Sequence, residues 1–277
     1  KKNGLKFKNG ICAACQYAET KTNGKIDWNE RESLLKKLLD KYRKNGEGYD
    51  CIVSGSGGKD SSTIAHILKY KYNMNPLTVT YSPILYTDIG FRNLRAWIDV
   101  GGFDNILFSP NGKLTSILAR EAFINLLHPM QPFKFGIKSI AAKTALKYDI
   151  KLVMFGEPYA EYGSEDNSSV SSPSYNIDWI INDSEDIFFG GTHYKDIIKK
   201  YQWVKENDLN SFMPLRSKDL EKSNLKDLQI EFLGWYLPWN PQEVYYYASK
   251  NCGYFLDTQR TDGTYGRYAG IDDKMEW

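Results

Sequence analysis

The sequence predicts an α/β protein built on a doubly wound, mostly parallel sheet, and three observations carry that expectation. Short runs of β-branched and apolar residues at 51–53, 77–81, 105–108 and 151–155 alternate with segments of helical periodicity. The 277 residues, 42% apolar and 25% charged, suit one large domain or a domain with appendages. The first apolar run, YDCIV, passes through a Gly/Ser turn directly into a helical pattern, the local order of a βα unit.

In chain order, residues 1–28 read as a small polar appendage around Cys12-Ala-Ala-Cys15. Leu34, Leu35, Leu38 and Leu39 recur at helical spacing and place a helix over 29–43. The strand at 51–53 precedes a helix over 61–72 with Ile64, Ile67 and Leu68 on one face. LTVTY at 77–81 has β-branched strand composition. A helix at 91–100, a strand at 105–108 and helices at 114–127 and 137–148 follow, and KLVMF at 151–155 runs out at Gly156-Glu157. Beyond Tyr159 the pattern loosens into a Ser-rich stretch, 161–176, expected to be mobile or a lid. Asn240-Pro241-Gln242-Glu243 marks a helix start, with Asn as cap, Pro at the first position and Glu243 placed to reach back. Gly253 is suited to end that helix. The expected division is an appendage at 1–28, a nucleotide domain at 29–200 and a C-terminal mixed, helical extension at 201–277.

Composition narrows the function. A formal charge of +2 is no electrostatic footprint for a dedicated nucleic-acid binder. No run of 18 apolar residues implies a membrane span. The opening KKNGLKFKNG has neither an initiator Met nor the pattern of a signal peptide, and the numbered chain is expected to be a piece of a longer protein. Four cysteines (12, 15, 51 and 252) without a secretion signal suggest a reducing, cytoplasmic setting, where a pair more often binds metal than cross-links. Cys12 and Cys15 have zinc-ligand spacing, whereas Cys51 within a strand and Cys252 at a helix end read as packing residues.

The chemistry centres on Gly55–Ser62, GSGGKDSS. A strand, a glycine-rich turn and a helix N-terminus make an anion site, because glycines let the backbone approach phosphate oxygens and the free N–H groups point outward. It is not a Walker A loop, since Asp60 follows Lys59 where Ser or Thr is required. Glu157 and Glu161 lie just past the strand at 151–155, the rim where open α/β sheets bind ligands. They are candidates for orienting a substrate nitrogen or taking a proton, or they are plain loop carboxylates. Asn93 and Arg95 follow the second strand on the same rim, Asn93 as a candidate hydrogen-bond partner of substrate or as a helix-surface residue. Arg260, Thr264, Tyr265, Arg267 and Lys274 form a cluster that reads as a nucleotide or sugar-phosphate clamp or as a solvated tail. His193 sits in a Gly-rich loop and more often such a residue is structural.

Ser56-Gly57-Gly58-Lys59-Asp60-Ser61 resembles the SGGxDS signature of the PP-loop ATP pyrophosphatases, which cleave ATP between the α and β phosphates. That resemblance implies a PP-loop type of doubly wound sheet spanning the nucleotide domain. It also implies a pyrophosphate grip by Ser54, Ser56, Gly57, Gly58, Lys59, Ser61 and Ser62, with Asp60 helping to hold Mg²⁺ and Lys59 neutralising phosphate. The adenine would lie against the end of the second strand, where Tyr81 is a candidate contact or a plain sheet aromatic. Further segments, DIGFRNLRAWIDVGGFDNI (88–106), FGEPYAEYG (155–163), EFLGWYLPWNPQEVYYYASKNCGY (231–254) and RTDGTYGRYAGIDDK (260–274), resemble the N-acetyl sugar amidotransferases of bacterial surface-polysaccharide synthesis. This implies ATP-dependent conversion of an acetamido to an acetamidino group on a nucleotide-linked sugar, in lipopolysaccharide O-antigen or nonulosonic acid pathways. Asn93, Glu157, Glu161, Arg260, Thr264, Tyr265 and Arg267 become the expected acceptor contacts, and Asp60, Lys59, Glu157 and Glu161 the catalytic set. Without glutaminase features of its own, the chain would take ammonia from a separate glutaminase with a synthase-like channelling partner. Relatives of that family carry an earlier cysteine pair, which would complete a structural zinc site with Cys12 and Cys15. The alternative is a tRNA-modifying PP-loop enzyme of thiolation or lysidine type, with the shared loop and C-x-x-C in its favour and the near-neutral charge against it.

Overall fold

The computed structural model describes residues 6–162, 171–175, 177, 180–223, 227–260 and 266–268. Strands β1 (Phe7–Lys8) and β2 (Ile11–Cys12) form an antiparallel hairpin. Asn9 and Gly10 at its tip have φ of 52° and 76°, the positive pair a tight hairpin turn requires. Helix α1 (Ala13–Thr22) follows directly, and α2 (Trp28–Tyr42) begins where the Asp27 carboxylate accepts from the N–H groups of Asn29 and Glu30.

The body of the chain then reads β3 (Cys51–Ser54), α3 (Lys59–His66), β4 (Pro76–Tyr81), α4 (Asp88–Asp99), β5 (Asn105–Phe108), α5 (Gly112–Leu126), α6 (Gln131–Tyr148) and β6 (Leu152–Phe155). A π-helical turn, Ile67–Lys71, extends α3, and the expected 61–72 helix is this composite. After β6 come a 3₁₀ turn (Tyr159–Tyr162), a small hairpin of β7 (Phe188–Phe189) and β8 (Thr192–His193), α7 (Tyr194–Lys200) and α8 (Ser217–Lys222). The chain closes with β9 (Gln229–Phe232), α9 (Leu233–Tyr236) and α10 (Pro241–Cys252).

Five strands make one sheet in the order β5-β4-β3-β6-β9, and every neighbouring pair is parallel. The chain winds outward from β3 through β4 to β5, then crosses back to place β6 on the other side of β3. The reversal between β3 and β6 is the topological switch point of a doubly wound sheet, where a crevice opens beyond the strand ends. β9 lies in the 201–277 segment yet is an edge strand of the main sheet, paired with β6 from Leu152↔Gln229 to Phe155↔Phe232.

Alternation along the strands feeds two cores. Cys51, Val53, Leu152 and Met154 pack with Leu35, Leu39, Ile64, Leu94, Trp97 and Val244 on one face. Ile52, Val79 and Val153 pack with Ile140, Ala141 and Ala145 of α6 on the other. A third cluster, outside the sheet, joins Leu114 and Leu118 of α5 to Phe189, Ile197, Leu209 and Phe212. α10 backs α3 closely. The Thr63 hydroxyl donates to Val244 O at 3.1 Å, and Cys252 Sγ lies 3.6 Å from Ser62 O. Burial pushes the Cys252 thiol up to about 12 and raises that of Cys51, so both act as packing residues. Gly253 ends α10 at φ +67°, as its position in the sequence requires.

Candidate active site

The glycine turn sits at the switch point, and its shape follows from close backbone packing. Gly57 has φ +78°, and a methyl group there would come within 2.6 Å of Leu94 Cα and 2.7 Å of Asn93 O in α4. Gly55 is equally committed, because a Cβ would fall 2.1 Å from Ser61 Cβ. Gly58 caps α3 with φ −65° and no side-chain hydrogen bond, so the N–H groups of the first turn face outward without a side-chain cap. The Ser61 and Ser62 hydroxyls donate inward to Gly58 O and Gly57 O at 3.2 and 3.3 Å, which stiffens the turn.

At its mouth, Lys59 Nζ holds both oxygens of Asp60 at 2.6 and 2.7 Å. The same ammonium lies 4.9 Å from the centre of the Tyr268 ring, contributed by the C-terminal segment. Beside the turn, Ser54, Gly55 and Ser56 line a cavity of about 310 Å³ closed by Tyr81, Phe133, Ile137 and Phe155. That is the size and apolar character of a small-molecule pocket. Tyr81 stacks on Phe108 at 5.7 Å and meets Phe133 at 5.6 Å, and Gly136 leaves the space the Tyr81 ring fills. Phe133, Ile137 and Phe155 were not anticipated as pocket walls; a glycine inside the α6 pattern was the available signal.

Gly156 brings the two sides of the switch point together. A Cβ there would lie 3.6 Å from Asp60 Cβ and 3.4 Å from Trp239 Cζ2. Glu157 follows, half-buried at the end of β6. Glu161 is one turn further on and accepts from Lys21 Nζ of α1 at 2.6 and 2.8 Å, while the same ammonium donates to Trp239 O at 2.7 Å. Burial holds the Glu161 carboxyl above its ordinary range, with Lys21 offsetting part of the rise. Glu161 is therefore tied to the N-terminal appendage.

Asn93 is 2% exposed and both ends of its amide are committed. Nδ2 donates to Phe255 O at 2.9 Å, and Phe255 N–H donates to Oδ1 at 2.8 Å. This grip pins the segment after α10 onto α4, and the Arg92 guanidinium stacks 3.6 Å from the centre of the Phe255 ring. Arg95 pairs with Asp99 at 2.7 Å on the exposed side of α4, away from the turn. Arg260 is exposed, and Arg267 Nε donates to Asp257 O at 2.8 Å. Thr264, Tyr265 and Lys274 lie outside the described residues, as does much of 161–176. His193 caps α7, its Nδ1 accepting from Lys195 N–H at 3.3 Å.

Cys12 and Cys15 come together at the start of α1, where Cys12 Sγ accepts from Cys15 N–H at 3.4 Å. Among the described residues no group of three or more His, Cys, Asp or Glu side chains could hold a metal, and Cys12 and Cys15 alone fall short of the four ligands that a structural zinc takes. Among those residues, too, no helix is long and apolar enough to cross a membrane.

No protein-family model matches the chain, and no curated protein matches it. Among solved structures, the chain is similar to an NH3-dependent NAD synthetase from Campylobacter jejuni, at 17% identity and a TM-score of 0.36. That match covers 50% of this chain and 59% of the synthetase, less than two thirds of its length. It is similar to an NMN synthetase from Francisella tularensis at 11% identity and a TM-score of 0.38, over 86% of this chain and 99% of that one. It is also similar to the U34-tRNA thiolase NcsA from Methanococcus maripaludis at 13% identity and a TM-score of 0.41, over 85% and 67% of the two chains. At these scores the likenesses do not bear on what this chain does. Its chemistry rests on its own site.

Proposed function

We propose that the chain is an AMP-forming amidotransferase of PP-loop type, a carbon–nitrogen ligase acting on the acetamido group of a nucleotide-linked sugar. The observation that carries the reading is the turn at the switch point. Gly57 is pressed onto α4, the first turn of α3 is uncapped, Lys59-Asp60 stands at its mouth, and an apolar cavity of about 310 Å³ lies beside it. Such a site suits a triphosphate on the turn and a base in the cavity that Tyr81 and Phe133 help to line. The acceptor is argued from the ordered motifs at 88–106, 155–163, 231–254 and 260–274.

An amide oxygen leaves poorly, so ammonia displaces it slowly. In the first step the acetamido oxygen attacks the α-phosphorus of ATP; an O–P bond forms and the bond to the β-phosphate oxygen breaks, releasing pyrophosphate. Ammonia then adds to the imidate carbon, loses a proton, and expels AMP to leave the acetamidino group. The chain's contribution is to hold the triphosphate on backbone N–H groups and to align the acceptor. The Asp60 carboxylate, partly exposed beside the turn, is suited to share a Mg²⁺ ion with the phosphates, which would screen their charge. Glu157, at the end of β6, is the candidate to take the ammonium proton.

Ammonia is proposed to come from a glutaminase partner through a synthase-like subunit, in the cytoplasm, with Cys12 and Cys15 as part of a structural zinc site. The assay is AMP and pyrophosphate release from ATP that depends on both a nucleotide-linked N-acetyl sugar and ammonia. ADP and phosphate as products, or turnover that depends on tRNA, would overturn the proposal.

A further inference from the structure

We infer that a second cavity, between α1 and the turn that opens α10, receives the uncharged sugar ring of the acceptor and excludes its phosphates. The inference rests on the proposed function and locates the acceptor within it. The cavity is about 530 Å³, and its walls include Lys21, Trp28, Glu161, Trp239, Asn240 and Glu243, with Cys15 of the proposed zinc pair at its edge. That volume suits a hexose with its acetamido arm.

Position connects it to the phosphate turn. Trp239, which lines the cavity, and Asp60 both approach Gly156: a Cβ there would lie 3.4 Å from Trp239 Cζ2 and 3.6 Å from Asp60 Cβ. Trp239 therefore borders both the cavity and the neighbourhood of Asp60, where pyrophosphate would leave. The 3₁₀ turn carrying Glu161 fixes the cavity to the end of β6, and Lys21 locks that turn by bonding both Glu161 and Trp239 O.

Charge selects the occupant. Among the described residues Lys21 is the cation of the wall, and it is already spent on Glu161. Glu243, exposed on the first turn of α10, leaves an excess of one carboxylate. A nucleoside diphosphate entering this space meets negative charge with no free cation among the described residues of the wall, which disfavours it by Coulomb's law. A neutral polyhydroxylated ring meets the opposite. Its C–H faces can lie on indole, and its hydroxyls can donate to carboxylate oxygens. Asn240 spends its side-chain oxygen on the N–H groups of Gln242 and Glu243, which leaves its amide nitrogen as the donor for a sugar oxygen.

The test is saturation-transfer NMR on the whole chain with methyl glycosides of N-acetylglucosamine, N-acetylgalactosamine and N-acetylmannosamine, with UMP as competitor. At least one glycoside should bind, UMP should not displace it, and Trp28→Ala and Glu243→Gln should each weaken it tenfold or more. Glu243→Gln, at an exposed position, keeps the test open if Trp28→Ala fails to fold. ATP binding, measured alongside by calorimetry, should be unchanged in both variants. Glycoside binding untouched by either substitution, displaced by UMP, or absent for all three sugars overturns the inference. A wild-type chain that fails to bind ATP would instead overturn the proposed function.

Discussion

Gly57→Ala is the sharpest test of how the phosphate turn is built. The substitution forces an L side chain to φ +78°, which costs roughly 1–2 kcal/mol in the left-handed region. It also drives a methyl group to 2.6 Å from Leu94 Cα and 2.7 Å from Asn93 O and Leu94 N. All three are backbone atoms of α4, which cannot rotate aside, so overpacking adds about 1–3 kcal/mol. The combined loss of about 2–5 kcal/mol is a large part of the 5–15 kcal/mol that typically holds a fold. Gly58→Ala is the matched control. Its Cβ would meet only Ser56 Oγ at 3.8 Å, with φ at an ordinary −65°, so stability should change by no more than about 0.5 kcal/mol. Chemical unfolding followed by tryptophan fluorescence compares the two. Equal midpoints for the two variants would refute the close packing of this turn on α4.

Three further substitutions probe the supports of the site. Asn93→Ala frees both backbone groups of Phe255 and should cost about 1–3 kcal/mol, with faster proteolytic cleavage near residue 255 as the readout. Lys21→Met removes the partner of Glu161, whose carboxyl burial already holds above its ordinary value. A raised carboxyl contributes stability at low pH that is lost as pH rises through its folded value, so the variant's unfolding midpoint should fall from pH 5 to pH 8 more steeply than the wild type's. Glu231 has the same sign. It is fully buried and raised by burial, with hydrogen bonds from Gln229, Tyr236 and Ser174 in partial compensation. Glu231→Gln should therefore flatten the loss of stability with rising pH, and an unchanged slope would count against it.

Much of the fold was legible because its signals are local. The strands at 51–54, 76–81, 105–108 and 152–155 are short apolar runs, and their helices carry plain 3.6-residue periodicity or a strong cap, as at Asn240-Pro241. β9 was not legible. Its four residues, QIEF, include a glutamate, and the hydroxyls of Ser174 and Tyr236 and the amide of Gln229 make that carboxylate tolerable inside. The turn at 55–58 could be read because phosphate geometry demands small residues at fixed places. Asn93 could not be placed, because the partner that uses both ends of its amide lies 162 residues away in sequence. Glu161 is similar, since the lysine that binds it comes from the N-terminal appendage.

Lys59 and Asp60 pose a problem that the resting geometry answers. Adjacent opposite charges 2.6 Å apart cancel much of each other's field, so the turn attracts a bare triphosphate mainly through its N–H groups. A divalent cation bound at Asp60 would compete for the carboxylate and release the ammonium to the phosphates, so metal and nucleotide should bind better together than alone. Asp60→Asn separates the two effects. The pair is partly exposed and worth about 0.5–1 kcal/mol. In EDTA the variant should therefore bind ATP some two- to fivefold more tightly than the wild type, because Lys59 is no longer held. With magnesium the order should reverse, since the variant has lost the carboxylate that retains the ion. Calorimetric titration under both conditions reads this directly. Weaker ATP binding by Asp60→Asn in EDTA would show that the ion pair does not restrain Lys59 at all.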